Sequence, residues 1–291
     1  MGARVTTLPG YEWIKTCRIC SADRFVPLTQ APTVNYYQCG QCQVIFLNPQ
    51  PTLETLKQQY TRQALLDTGP ASAWFTHKPY FLRALLRERL RDVIRYRPHG
   101  DLLDVGCGMG DFCGVAREAG FAVYGTEFSD TYSEHTKRTV GITEIYTGRL
   151  QEIDFGAKQF EVITLWHVLE HVPDPLETLL CLKALVKPEG LVAVEVPNVE
   201  QNRTRPMYRS DLEDYPVERQ EHLFYYSSQS LQNASARAGL KVLGLKYVDA
   251  HQPAKHLLKH VLRKIKRPSK RLLYLGRPQL GFSAFRVFLT V

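Results

Sequence analysis

The run Asp101-Leu-Leu-Asp-Val-Gly-Cys-Gly-Met-Gly-Asp111 constrains this 291-residue chain more than any other stretch. Leu102, Leu103 and Val105 form a short apolar run, the pattern of a strand buried on both faces. Gly106, Gly108 and Gly110 follow at once, and Phe112, Val115, Ala116 and Ala119 then recur at helical spacing up to a stop at Gly120. A strand, a glycine turn and a helix in this order build the crevice at which open α/β sheets bind ligands. The spacing is G-x-G-x-G, whereas a dinucleotide turn is G-x-G-x-x-G and brings a helix N-terminus up to a pyrophosphate. Asp104, two residues before the first glycine, would repel a phosphate and suits a ligand carrying an ammonium and a sulfonium. A second strand, Phe121 to Gly125, leads to Glu127, whose carboxylate can accept hydrogen bonds from both hydroxyls of a ribose.

Four of the seven cysteines, Cys17, Cys20, Cys39 and Cys42, are set as C-x2-C, eighteen residues, C-x2-C. This is the spacing of a four-thiolate zinc site, and four protein ligands leave no position for water, so the ion would be structural. Cys107, Cys113 and Cys181 read as small buried fillers. The chain then divides into a ribbon over 1–48, a helical connector over 49–98 and an α/β domain over 99–291. In the connector, Thr52 can cap a helix bearing Leu53, Leu56 and Tyr60. A second helix is expected from Pro79 to Arg97, with Leu82, Leu85, Leu86, Leu90, Val93 and Ile94 as its apolar stripe. Its Arg83, Arg87, Arg89, Arg91 and Arg95 are read as a solvated face. Both helices precede the first sheet strand and could close over the crevice.

Beyond Glu127 the chain keeps alternating. A helix from Ser129 or Asp130 to Val140, strands at Ile142–Tyr146 and Phe160–Leu165, and a helix opening at Asp174-Pro175 are expected. Strands at Leu191–Val196, Lys241–Val248 and Phe282–Val291 follow, with a helix capped by Ser227 or Ser228 among them. These features closely resemble class I S-adenosylmethionine-dependent methyltransferases, which implies a Rossmann-like seven-stranded sheet with its last strand inserted antiparallel. The resemblance implies Asp104 near the methionine amino group, and Gly106, Gly108 and Gly110 admitting the cofactor to the backbone. It further implies Glu127 and Phe128 at the ribose; at the adenine Arg149 replaces an acid found in many members, and the Leu150 backbone, Gln151 or Asp154 could supply the contact. Trp166 and His167 would face the transferring methyl, while Glu170 and His171 read as hydrogen-bonding to neighbouring loops.

The stretch from Val199 to Gln220 is long, irregular and charged, which suits an acceptor-binding lid, and it delivers Glu221-His222 to the start of a helix. Histidine is the side chain poised to take a proton near neutral pH. With the ribbon, this segment is similar to zinc-ribbon methyltransferases that include sugar C-methyltransferases. A Tyr-x-Glu-His segment there implies His222 as base and Glu221 as its partner, with Arg219 in the tyrosine's place.

Lys255 to Arg271 carries eight Lys or Arg and no acid, which accounts for the formal charge of +8. Leu257, Leu258, Val261, Leu262 and Ile265 give it a helical apolar stripe. It could dock on an anionic membrane surface or a lipid-phosphate-linked acceptor, lie on RNA phosphates, or pack on the sheet. No apolar signal core opens the chain and no stretch is long enough to span a bilayer, so a cytoplasmic protein is expected, with docking on the inner membrane face as an option. The expected function is methyl transfer from S-adenosylmethionine to a small-molecule or carbohydrate acceptor, lipid-linked or free. Nucleic acid is the less favoured partner, because the ribbon from Cys17 to Cys42 has only Arg18 and Arg24 as basic residues. A cofactor-binding regulator without turnover is the third reading.

Overall fold

The structure is a computed structural model that describes residues 8–29, 34–68, 80–199, 222–249 and 283–291. Glu221, the lid segment 200–220 and the basic segment 255–271 lie outside the described residues. The N-terminal part holds five short strands, β1 (Tyr11–Glu12), β2 (Phe25–Pro27), β3 (Asn35–Cys39), β4 (Ile45–Asn48) and β5 (Gln50–Pro51). Helices α1 (Leu53–Thr68) and α2 (Tyr80–Tyr96) follow. Then come β6 (Asp101–Val105), α3 (Asp111–Glu118), β7 (Ala122–Glu127), α4 (Asp130–Val140), β8 (Ile145–Thr147), β9 (Phe160–Trp166) and α5 (Pro175–Leu185). The chain continues through β10 (Val186–Pro197), β11 (Phe224–Tyr225), α6 (Ser228–Arg237), β12 (Lys241–Asp249) and β13 (Ser283–Thr290).

Seven strands form one sheet in the order β12-β13-β10-β9-β6-β7-β8, with β13 antiparallel to both neighbours and β10 through β8 parallel. Strand β6 is central, with β7 on one side and β9 on the other, so the order reverses there and a crevice opens at the carboxyl ends. Alternate residues of β6 enter two separate cores. Leu103 and Val105 pack with α5 and α6, while Leu102 packs with Phe112 of α3 and Val93 of α2.

The ribbon is welded to the sheet. Strand β11 adds to it in the order β11-β4-β3-β2, pairing Phe224 with Phe46 and Tyr225 with Ile45. Ile14, Val34 and Leu47 share one buried cluster with Leu103, Leu165 and Leu223. The chain after His222 therefore forms a strand before its helix, because that strand completes the ribbon's sheet. Helix α6 then starts at Ser227, whose side chain accepts from Ser230 N in a reciprocal capping box.

Two expectations are corrected. Arg89 is not on a solvated face: it is 7% exposed and its guanidinium reaches Glu195 of β10. Ile94, expected in the apolar stripe, is 37% exposed, because ion pairs and not side-chain greasiness fix how α2 is turned.

Candidate cofactor crevice and histidine cluster

The glycine turn after β6 is held in a left-handed backbone, with φ of +67° at Gly106, +55° at Gly108 and +75° at Gly110. A Cβ on Gly106 would lie 2.6 Å from Val168, whereas one on Gly108 would meet nothing within 4 Å, so Gly108 borders open space. Glu127 pins this turn: its carboxylate accepts from Gly108 N and Ser129 N, both at 2.9 Å. Burial pushes the Glu127 carboxyl up, partly offset by those backbone donors. Asp104 lies buried below the turn, accepting from Thr164 Oγ1 at 2.7 Å and facing Cys113 Sγ at 3.5 Å. Burial raises its carboxyl to about 6. Phe128, Gly148 and Arg149 line a cleft with Leu53 and Lys57 of α1, so the first connector helix does border the crevice. Leu150 is buried in the core, and its side chain serves packing.

Trp166 ends β9 and His167 follows it. The Trp166 ring packs edge-on against Phe112 at 5.0 Å, with the Arg89 guanidinium 5.0 Å from its centroid, and its indole N–H is buried without a partner among the described residues. His167 adopts φ of +57° and bridges two buried carboxylates, with Nδ1 3.1 Å from Glu170 Oε1 and Nε2 3.1 Å from Glu195 Oε1. Burial opposes its charge, but the hydrogen bonds it donates to the Glu170 and Glu195 carboxylates outweigh it and raise the imidazole to about 9. With both ring nitrogens engaged, His167 holds two loops in place and has no lone pair for an acceptor's proton. Glu195 also binds Arg89 at 2.5 Å and Arg286 of β13, and Arg286 reaches Asp92 of α2. The sequence reading missed this network. Its one legible trace was a single charge inside each of two apolar strand runs, Val-Ala-Val-Glu195-Val and Ala-Phe-Arg286-Val-Phe.

His222 stands just before β11, with its ring 4.7 Å from that of His171 and 5.5 Å from that of Tyr225. Burial and the neighbouring His171 lower it to about 4, so its imidazole is neutral at pH 7. Aromatic contacts run from the crevice to this cluster: Phe128 to Tyr60 at 5.9 Å, then Tyr60 to His171 at 6.4 Å. Glu221, its expected partner, lies outside the described residues, while Glu170 has its carboxylate within 4.8 Å of the cluster's imidazole nitrogens.

Cys17, Cys20, Cys39 and Cys42 bring their sulfurs within 4.8 Å of one another, with 3.5 Å between Cys17 and Cys42 and 3.4 Å between Cys20 and Cys39. Sulfurs around a tetrahedral zinc stand about 3.8 Å apart, so the quartet has the donor set and dimensions for such an ion.

Known proteins agree with this architecture. The family described as a methyltransferase domain matches residues 61–245. The ubiquinone biosynthesis O-methyltransferase of Actinobacillus pleuropneumoniae serotype 7 is 36% identical over 138 residues, 42% of this chain and 58% of that protein. The chain thus spans little more than half the length of that curated relative. An S-adenosylmethionine-dependent methyltransferase from Mesorhizobium loti superposes with a TM-score of 0.52 at 16% identity, covering 72% of this chain and 100% of the other. Magnesium protoporphyrin IX methyltransferase from Synechocystis, solved with bound SAH, gives 0.55 at 10% identity over 82% and 99%. The matched span and the seven-stranded sheet place the chain in the methyltransferase domain family, with the Rossmann-like fold of S-adenosylmethionine-dependent methyltransferases.

Proposed function

We propose that this protein transfers the methyl group of S-adenosylmethionine to an oxygen of a small-molecule or carbohydrate acceptor. The observation that carries the reading is the gathering of Asp104, the glycine turn, Glu127 and a histidine cluster around the carboxyl ends of β6, β7 and β9. The O-methyltransferase name of the curated relative supports oxygen as the methylated atom. When bound, the cofactor supplies an electrophilic methyl on its sulfonium. The chain's own groups do the rest. The open side of Gly108 admits backbone contact, and Glu127 keeps lone pairs for ribose hydroxyls beyond those its two backbone donors use. Phe128 and the Gly148-Arg149 turn border the place for the adenine, and Trp166 closes the end of β9. Methyl transfer is an in-line displacement, so the protein must orient the acceptor and take its proton. His222, neutral and beside the crevice, is the proposed base, and His167 positions Glu170 next to it. The cysteine quartet is inferred to hold one structural zinc, measurable as one equivalent per chain by metal analysis.

The direct test is transfer of labelled methyl from S-adenosylmethionine into a lysate separated into small-molecule, glycolipid, RNA and protein fractions. Label in small molecules or glycans supports the proposal, and label removed by ribonuclease overturns it. His222→Ala is expected to lower kcat about 100-fold or more while leaving cofactor affinity within threefold of wild type. Undiminished turnover would return His222 to a structural role.

Asp104 gives a pH signature. Its folded value of about 6 lies above the 3.8 of an exposed aspartate, so ionisation opposes folding, and keeping it charged at pH 7 costs about 3 kcal/mol. That stability is present below pH 4 and lost as pH rises through 6. Cofactor binding has the opposite sign, because an ammonium needs the carboxylate. Affinity for S-adenosylmethionine should fall up to about tenfold per pH unit below 6, and Asp104→Asn should bind more weakly while melting no lower than wild type. Calorimetric titration and thermal unfolding across pH check both.

A further inference from the structure

We infer that the outer face of α2 is a docking surface for an acidic amphipathic helix of a partner protein. Arg83, Arg87, Arg91 and Arg95 recur every fourth residue along α2, and with Ile94 they are the exposed ones among its described residues. None of the four arginines has a hydrogen bond or ion pair among the described residues. The acids of the same helix are engaged elsewhere: Glu88 and Asp92 turn to Lys246 and Arg286 on the sheet. Like charges at i, i+4 repel along a helix, so the row weakens α2 and gains no partner within the fold. Ile94 is the second, independent sign. It is 37% exposed, and helical geometry sets it inside the row, between Arg91 and Arg95 along the axis and about 20° round it from the Arg83 and Arg87 directions.

Successive arginines lie about 6 Å apart and drift by about 40°, so the row winds over about 18 Å and about 120° of the helix surface. Such an i±4 line is a ridge that a second helix takes into its own groove. On that second helix, Asp or Glu at every fourth residue repeats at the same spacing. Each guanidinium then meets a carboxylate in the bidentate geometry that arginine makes and lysine does not. An apolar side chain among the partner's acids covers Ile94. A bilayer fits less well, because a plane does not follow a row that winds through a third of the helix, and Ile94 is a single aliphatic anchor. Single-stranded nucleic acid stacks its bases on aromatic platforms, and the exposed described positions of α2 hold none. Arg89 meets Glu195 near the carboxyl end of β10, whereas Tyr96 stacks on Phe288, which pairs with Ala193 two residues earlier. Helix α2 therefore runs away from the crevice, and Arg83 is the end of the row nearest to it.

The test titrates the full chain into a fluorescein-labelled, alanine-rich helical peptide that carries glutamate at every fourth residue with leucines between, followed by anisotropy at low salt. Binding is expected to be more than about tenfold tighter than that of a peptide of the same composition with its glutamates spread around the helix, and to weaken with added salt. Arg87→Gln combined with Arg91→Gln should lower affinity more than about tenfold, and Ile94→Ser more than about threefold. Arg138→Gln, at an exposed arginine of α4, should leave it unchanged. The double variant should melt no lower than wild type, since it relieves repulsion along α2. Equal affinity for the two peptides, or affinity insensitive to the double variant, overturns the surface. A lower melting temperature in the double variant would show that the row serves the fold, and overturns it too. Phosphatidylglycerol vesicles or oligouridylate bound more tightly than the glutamate-row peptide, with that binding lost in the double variant, overturn the helix as the occupant.

Discussion

Replacing Cys39 and Cys42 with serine is expected to abolish turnover, although neither cysteine touches the crevice. Cys39 ends β3, and Cys42 lies in the turn to β4, the strand on which Phe224 and Tyr225 are laid. Leu47 N also donates to Leu223 O at 2.9 Å, and the Tyr36 and Tyr225 hydroxyls meet at 3.3 Å. Structural zinc contributes an apparent ~10–16 kcal/mol to small cysteine sites, more than the few short strands of the ribbon could replace. Without the proposed zinc, β4 is expected to lose its partner strands, releasing β11 and moving His222 from its place against His171. Zinc content should fall to zero and kcat by more than about 100-fold, the scale of a lost proton-transfer group. Cofactor affinity should change far less, because Asp104, Gly108 and Glu127 sit on β6, β7 and the turn between β6 and α3. A zinc-free variant with wild-type turnover would show that the ribbon does not position His222.

The other large effect is expected at Glu195. Glu195→Gln removes the carboxylate shared by Arg89, Arg286 and His167, and leaves those cations in a place where Arg286 is 0% and Arg89 7% exposed. Breaking a buried pair from one side costs about 3–5 kcal/mol, because the remaining charge has lost water and partner alike. For a chain of this size the midpoint should drop by roughly 10 °C in thermal unfolding. Lys246→Met is the contrast. Lys246 binds Glu88 and Asp92 at the 38%-exposed rim of the same network, so its loss should cost less than about 1 kcal/mol. Equal losses from the two variants would mean that the network is solvated and does not fix α2. Because Glu195 also holds His167, Glu195→Gln should lower kcat more than cofactor affinity.

How legible each residue's place is in the chain depends on what that residue needs from its neighbours. Leu102, Leu103 and Val105 are strand-forming by local pattern, Gly106 and Gly108 suit the left-handed turn because they lack a Cβ, and C-x2-C pairs present two sulfurs from one tight turn. These are short-range constraints, so the seven-stranded sheet, the crevice and the thiolate quartet were all legible in the chain. The arginine face of α2 was not, because a helical wheel cannot say which charge meets a partner 106 residues away, as Arg89 meets Glu195. Nor could it show that His222 lies beside His171, or that the residues after it would pair with a strand near the N-terminus. Order of elements, turn chemistry and ligand spacing were therefore the sequence's own determinations. Which buried charges meet, which way His167 faces and how the ribbon braces the histidine cluster were decided only by the tertiary structure, where desolvation makes each buried charge depend on partners far away in the chain.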